Sequence, residues 1–176
     1  MIELVVPDPC LVVLVAAAGA GKTTFAARHF ELDEVLSSDG YRAEIAGDEA
    51  DQRATRAAFG RLHHALERRL AGRLLTVVDA TNVERSARLA LLNRATAAGL
   101  PVIAVVLDLP PATILARNAS RSSRIVDPRV VRRHLARLRD SLDRRAAPLD
   151  GEGFQQVVVL RDPVEVDAVR IVRRPA

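Results

Sequence analysis

Apolar residues in this chain come in short unbroken runs, separated by longer stretches with a beat of three to four residues. That alternation predicts strands feeding helices. Leu11 to Val15 is a continuous apolar run of the kind expected for a strand buried on both faces. Gly19 and Gly21 break it, and Thr23 to Phe30 reads as a helix. Val35-Leu36 predicts a short second strand ending in Ser37-Ser38-Asp39. From Asp51 to Ala71, the residues Ala54, Ala58, Leu62, Leu66 and Leu70 recur every four positions, predicting a long amphipathic helix. Leu74 to Val78 is a third strand, closed by Asp79-Ala80-Thr81-Asn82, and a helix over Val83 to Ala98 ends at Gly99-Leu100-Pro101.

Val102 to Leu107 is a fourth strand, and Pro110-Pro111 opens a short helix reaching about Asn118. The segment from Ala119 to Val126 is polar and has no helical stripe. Asp127-Pro128 supplies an N-cap and first-turn pair for a helix with Val131, Leu135, Leu138 and Leu142 on one face. Gln156 to Leu160 is a fifth strand, followed by a last short helix over Pro163 to Val169. The fold class expected is α/β: a five-stranded, mainly parallel sheet with helices on both faces. No linker or repeat divides residues 1–176, so one domain is expected.

Composition narrows the class. Hydrophobic residues make up 49% of the chain and charged residues 27%, a globular balance. The single Cys10 leaves no internal disulfide framework and fits a reducing cytoplasm. No stretch approaches the ~18 consecutive apolar residues of a membrane span. The N-terminus, with Glu3 and Asp8 and no early basic residue, does not read as a signal peptide. The net charge of +4 is by itself a weak pointer to polyanions.

Position says more than number. Lysine and arginine together number 26, and the only lysine is Lys22, in the run Ala16-Ala17-Ala18-Gly19-Ala20-Gly21-Lys22-Thr23-Thr24. A phosphate-binding loop needs a compact point charge on a flexible stem there, which a forked guanidinium does not supply. The pattern G-x-x-x-x-G-K-S/T is met at Gly21, Lys22 and Thr23, with Ala16 in place of its first glycine. Gly19 and Gly21 let backbone N–H groups face the phosphates, and Thr23 offers a hydroxyl to Mg²⁺.

In an open parallel sheet, ligands sit beyond the C-terminal ends of the strands. Asp39 and Asp79 end two of them. One available role is to take the proton of an attacking hydroxyl; the other is to hold Mg²⁺ through water. Thr81 and Glu84 spell a capping box that would start the following helix. Arg117, Arg121 and Arg124 stand at i, i+4 and i+7 in and after the short helix, the place of a lid that adds positive charge to a transferring phosphoryl group. Arg42, three residues past Asp39, is placed to bind an acceptor phosphate.

Two motifs carry no site. Asp48-Glu49-Ala50-Asp51 spells a helicase tetrapeptide, yet no apolar strand precedes it. His63-His64 are adjacent on a helix, so they point about 100° apart and cannot pair on one metal.

Taken together, Gly19 to Phe25, Ser37-Ser38-Asp39 with Arg42, Asp51-Gln52, Asp79-Ala80-Thr81-Asn82 and the lid from Arg117 to Arg124 resemble the 5′-kinase domain of bacterial polynucleotide kinase-phosphatase, an RNA end-healing enzyme of the P-loop phosphotransferase superfamily. The similarity runs in matching order from about residue 10 to residue 172. It implies a lid over about residues 117–127, with Mg²⁺ or Mn²⁺ as cofactor and ATP or another NTP as phosphate donor. Gly19, Ala20, Gly21, Lys22, Thr23 and Thr24 would hold the donor phosphates, with Thr23 on the metal. Asp39 would be the general base on a 5′-hydroxyl, and Arg42 would bind the acceptor's 3′-side phosphate. Gln52, Asp79, Thr81 and Asn82 would complete the acceptor side, and Arg117, Arg121 and Arg124 would close on the β- and γ-phosphates.

The partners implied are 5′-OH ends of RNA or DNA, in nucleic-acid repair, with no membrane. The family's kinase module often precedes phosphatase and ligase-like domains in a longer polypeptide. A small-molecule kinase acting on a nucleoside, sugar or antibiotic fits the same residues and stays open as the alternative. Aromatics are only 3% of the chain, so base stacking would rest on Tyr41 or a Phe, and recognition should be mostly through phosphates.

Overall fold

A computed structural model of the chain describes residues 2–46, 55–121, 125–143 and 148–176. Strands β1 (Ile2–Asp8) and β2 (Leu11–Ala16) lead into helix α1 (Lys22–His29). Strand β3 (Val35–Ser37) is followed by helices α2 (Ser38–Ala46) and α3 (Thr55–Ala71). Then come β4 (Thr76–Asp79), α4 (Arg85–Ala97), β5 (Val102–Leu107), α5 (Pro111–Ala119) and α6 (Pro128–Leu142). The chain closes with β6 (Gln156–Leu160), α7 (Pro163–Asp167) and β7 (Val169–Pro175).

Five strands pair in the order β3-β4-β2-β5-β6, every pair parallel. Each parallel step needs a crossover, and the helices supplying the crossovers cover both faces. Strand β2 shows why its run is unbroken. Val12 and Leu14 join Phe25 and Ala26 of α1 and Ile114 of α5 on one face. Leu11, Val13 and Val15 join Leu62 and Leu66 of α3 and Leu91 and Leu92 of α4 on the other. Every β2 residue is fully buried. No helix among the described residues is long and apolar enough to cross a membrane.

The structure departs from the sequence expectation in three places. Residues 2–8 form β1, which pairs in parallel with β7 as a separate two-stranded sheet, Ile2 opposite Val169 and Asp8 opposite Pro175. The last helix accordingly stops at Asp167 rather than Val169. Helix α2 starts at Ser38 directly from β3, where the strand was expected to end in Ser37-Ser38-Asp39; Gly40 N–H donates to Ser37 Oγ at 3.3 Å across its first turn. The capping box at Thr81 does not form. Helix α4 begins at Arg85 with Glu84 as its N-cap and no side-chain cap bond. Glu84 instead pairs across to Arg137 of α6, Nε to Oε1 at 3.3 Å. Asp127 caps α6 as expected, accepting the Arg129 N–H at 2.7 Å.

Candidate active site

The phosphate loop leaves β2 at Ala16, and its geometry explains the missing first glycine. Ala16 is the last residue of the strand, opposite Leu107 of β5, so its Cβ sits in ordinary extended backbone. The left-handed backbone falls on Gly19 (φ 89°) and Gly21 (φ 96°). Gly19 also has no room for a side chain: a Cβ there would lie 2.9 Å from the Ile114 carbonyl oxygen and 3.1 Å from Asn118 Cβ. Gly19→Ala is therefore expected to destabilise the fold by about 1–3 kcal/mol, through left-handed strain and a clash with α5 backbone. It should also weaken nucleotide binding, and thermal melting with and without nucleotide will show both effects.

Gly21 is the N-cap of α1, whose first turn holds no acidic residue, so the positive end of the helix is open to an anion. Lys22 folds back over the loop, its Nζ donating to the carbonyls of Ala17 at 3.1 Å and Ala16 at 3.4 Å. Thr23 Oγ1 donates to Asp79 Oδ2 at 2.7 Å, linking the loop to the end of β4. Burial pulls the Lys22 pKa down, countered in part by Asp79 and Asp39. Burial also pushes the Asp79 carboxyl up, countered in part by Lys22 and Thr23. Anionic phosphates beside Lys22 and a cation beside Asp79 would each favour the charged form again.

Strand register brings the second carboxylate near. Ser37 lies opposite Asp79 in the β3–β4 pair, so Asp39, two residues later, opens into the same space. Arg42 Nη1 donates to Asp39 Oδ1 at 2.5 Å across one turn of α2, and the Arg42 side chain is nearly buried. These groups line one cavity of about 680 Å³. At the β3 edge it is walled by Ser38, Asp39, Arg42, Thr55 and Phe59; at the β6 edge by Arg28, Pro163, Val166 and Asp167. The phosphate loop lies between the two ends, in the middle of the sheet.

Arg117 and Arg121 approach from α5 and the segment after it, and both line the cavity. Arg117 Nη1 donates to Ala20 O at 3.4 Å. The segment they begin is pinned at its base by buried Asn118, whose Nδ2 donates to Val126 O at 2.7 Å and whose Oδ1 accepts the Val126 N–H at 3.1 Å. Arg124 and Gln52, together with the Asp48 to Asp51 tetrapeptide, lie outside the described residues.

Thr81 lines the cavity, and its carbonyl accepts the Ala16 N–H at 3.0 Å. Asn82 is placed otherwise than the acceptor-side role implied. It is buried with φ 48°, and its Nδ2 donates to Leu14 O at 2.8 Å and to Ala80 O at 3.3 Å. It clips the loop after β4 onto β2.

Two residues that sequence reasoning passed over support the site. Arg88 is fully buried on α4 and forms a bidentate pair with Glu152, at 2.7 and 2.6 Å. Its Nη1 donates to the carbonyls of Asn82 at 3.0 Å and Val83 at 2.8 Å, bracing the loop that carries Asp79 and Thr81. The signal was readable: Arg88 stands three, four and seven residues before Leu91, Leu92 and Ala95, on the apolar face of its helix. His134 of α6 also lines the cavity, and its Nδ1 accepts the Ala18 N–H at 3.4 Å.

Oxygen donors stand where a hard divalent cation would need them, at the Thr23 hydroxyl and the adjoining Asp79 carboxylate. Among the described residues no group of three or more His, Cys, Asp or Glu side chains forms a metal cage.

Solved structures share the fold that carries this cavity. A chain of the Pnkp1/Rnl/Hen1 RNA repair complex superposes with a TM-score of 0.65 at 19% identity, over 76% of this chain and 45% of that one. This protein thus spans less than half the length of that relative. A sugar kinase from Janibacter sp. HTCC2649 superposes with a TM-score of 0.57 at 22% identity, over 87% and 85% of the two chains. Shikimate kinase from Acinetobacter baumannii, in complex with shikimate, gives 0.54 at 22% identity, over 90% and 88%. A search of curated proteins finds no match. The shared architecture is the P-loop kinase fold: a parallel five-stranded sheet, covered on both sides, with the phosphate loop at its centre. The family model described as an AAA domain matches residues 11–145, from the first residue of β2 to just past α6, and the chain belongs to that family.

Proposed function

We propose that this protein is a polynucleotide 5′-hydroxyl kinase, moving the γ-phosphate of ATP or another NTP to the 5′-OH end of RNA or DNA. The observation that carries the reading is the Asp39–Arg42 pair, which faces the same cavity as Lys22 and Thr23 from the β3 edge. A carboxylate there takes the hydroxyl proton, while the guanidinium beside it suits a phosphate one nucleotide away.

The donor phosphates lie along the loop from Gly19 to Thr24, under Lys22 and the N-terminus of α1. Asp39 accepts the proton of the 5′-OH as its oxygen attacks the γ-phosphorus. The bond from that phosphorus to the β-phosphate bridging oxygen breaks, and the nucleoside diphosphate leaves with the electron pair. A divalent cation held at Thr23, with Asp79 nearby, would offset charge on the β- and γ-oxygens. Arg117 and Arg121 stabilise the transferring group from the lid side, and the protein's share of the work is positioning and electrostatics.

The second reading is a small-molecule kinase. Phe59 and Thr55 at the acceptor end form a wall on which a single sugar or nucleoside ring would rest. Transfer of labelled γ-phosphate to 5′-OH RNA, 5′-OH DNA, nucleoside 3′-monophosphates, free nucleosides and sugars separates the two. The expected result is preferential labelling of the strands. Asp39→Ala should lower transfer roughly 10²–10⁴-fold while NTP binding persists. Near-native transfer in that variant would remove Asp39 as the base.

A further inference from the structure

Helix α6 starts just past the lid, and Val130 and His134 on its inner side line the cavity. Its buried residues, Val131 and Leu138, are committed to the two cores. Farther along, Arg137 reaches Glu84, three residues beyond Thr81 of the cavity wall. The helix therefore runs along the rim of the cavity from the lid toward the loop after β4. Its outer side carries Arg129, Arg132, Arg133 and Arg139, all exposed.

These arginines are unlike many others in the chain. Arg28 pairs with Asp167, Arg94 with Glu67, Arg161 with Asp108, Arg170 with Glu3 and Arg173 with Glu34. Among the described residues, no carboxylate lies within ion-pairing distance of Arg129, Arg132, Arg133 or Arg139. Asp140 is the only acidic residue within the helix. Like charges left together on one face repel one another, and a polyanion relieves that repulsion.

We propose that the outer face of α6 is a track for the phosphodiester backbone of a single-stranded acceptor, beyond the nucleotide that enters the cavity. The proposal rests on the polynucleotide kinase reading. Arg129 and Arg133, four residues apart, advance about 6 Å along the helix, a step comparable to that between phosphates of an extended strand. Each planar guanidinium engages a phosphate with two parallel hydrogen bonds. No Phe, Tyr or Trp stands on α6, and its His134 lines the cavity, so the track reads phosphates and not bases. A lipid surface fits poorly, because the apolar side of the helix is already buried in the protein.

The test replaces Arg129, Arg132 and Arg133 together by alanine, which keeps helix propensity. Fluorescence anisotropy of labelled single-stranded 5′-OH RNA and DNA is measured across a salt series, beside phosphotransfer to the same strands and to a nucleoside 3′-monophosphate. Strand Kd and KM are expected to rise tenfold or more, and the log–log salt slope to become shallower by about two. KM for the nucleoside 3′-monophosphate should not move. Unchanged strand binding overturns the track even where phosphotransfer to strands is intact. An equal rise for both acceptors also overturns it, by placing the effect in the cavity. A native protein that phosphorylates small acceptors and neither binds nor labels strands overturns the kinase reading, and the track with it.

Discussion

Replacing Lys22 by arginine, the change most in keeping with this arginine-rich chain, will lower phosphotransfer roughly 10²–10³-fold, the scale of losing one preorganised charge donor at a transition state. The ammonium lies folded over the phosphate loop with two donors already on the Ala17 and Ala16 carbonyls. Its compact charge on a flexible stem is free to turn toward phosphates bound along the loop. A guanidinium is planar and larger, and cannot turn three donors about one nitrogen in that space. Thermal stability should hold or fall slightly, because burial works against a charge at this position and a guanidinium cannot shed its proton. Labelled phosphate transfer together with a melting curve tests both halves. Activity close to that of the native protein would show that the lone lysine has no special function.

The second large effect is on stability and comes from a residue outside the cavity. Glu152→Ala will strand the Arg88 guanidinium, fully buried, without its carboxylate. Removing one partner of such a pair costs about 3–5 kcal/mol. In a domain of this size, each kcal/mol lowers the melting temperature by roughly 2–4 °C, so a fall of about 6–20 °C is expected. Replacing both partners with apolar residues of similar volume, Arg88→Met with Glu152→Leu, should recover much of the loss, since no buried charge is then left alone. The double variant should still transfer phosphate poorly. Arg88 also holds the Asn82 and Val83 carbonyls, and without it the loop after Asp79 loses its brace. Melting curves of the two variants, with transfer rates below the transition, separate the roles.

The elements legible in the chain were those whose signal is local. Strand β5 matches its apolar run residue for residue, because a strand covered on both faces has no polar position to interrupt it. Asp127-Pro128 placed the start of α6, because a cap bond spans only two residues. The glycines of the phosphate loop were readable for the same reason, since positive φ is a property of single residues.

Other features were hidden because their partners lie far along the chain. Strand β1 finds its partner in β7, at the opposite end of the sequence, and neither segment signals the other. The Thr81–Glu84 pattern was a complete local signal, yet Glu84 bonds to Arg137 of α6 and the box is lost to a tertiary contact. Asn82 sits in a run that suggests acceptor binding, but its amide is spent on Leu14 of a neighbouring strand.

The sequence by itself determined the five strands of the central sheet, the phosphate loop and the identity of the charged groups at strand ends. Backbone preference and side-chain period are written within a few residues. Only the tertiary structure decided that Asp39 stands beside Asp79 through the β3–β4 register, that Thr23 reaches Asp79, and that Arg88 braces the loop between them. Those are through-space contacts across 56 residues in one case and 64 in the pairing of Arg88 with Glu152. Periodicity carries no record of which distant element will supply the partner, because that choice is made by packing of the whole sheet.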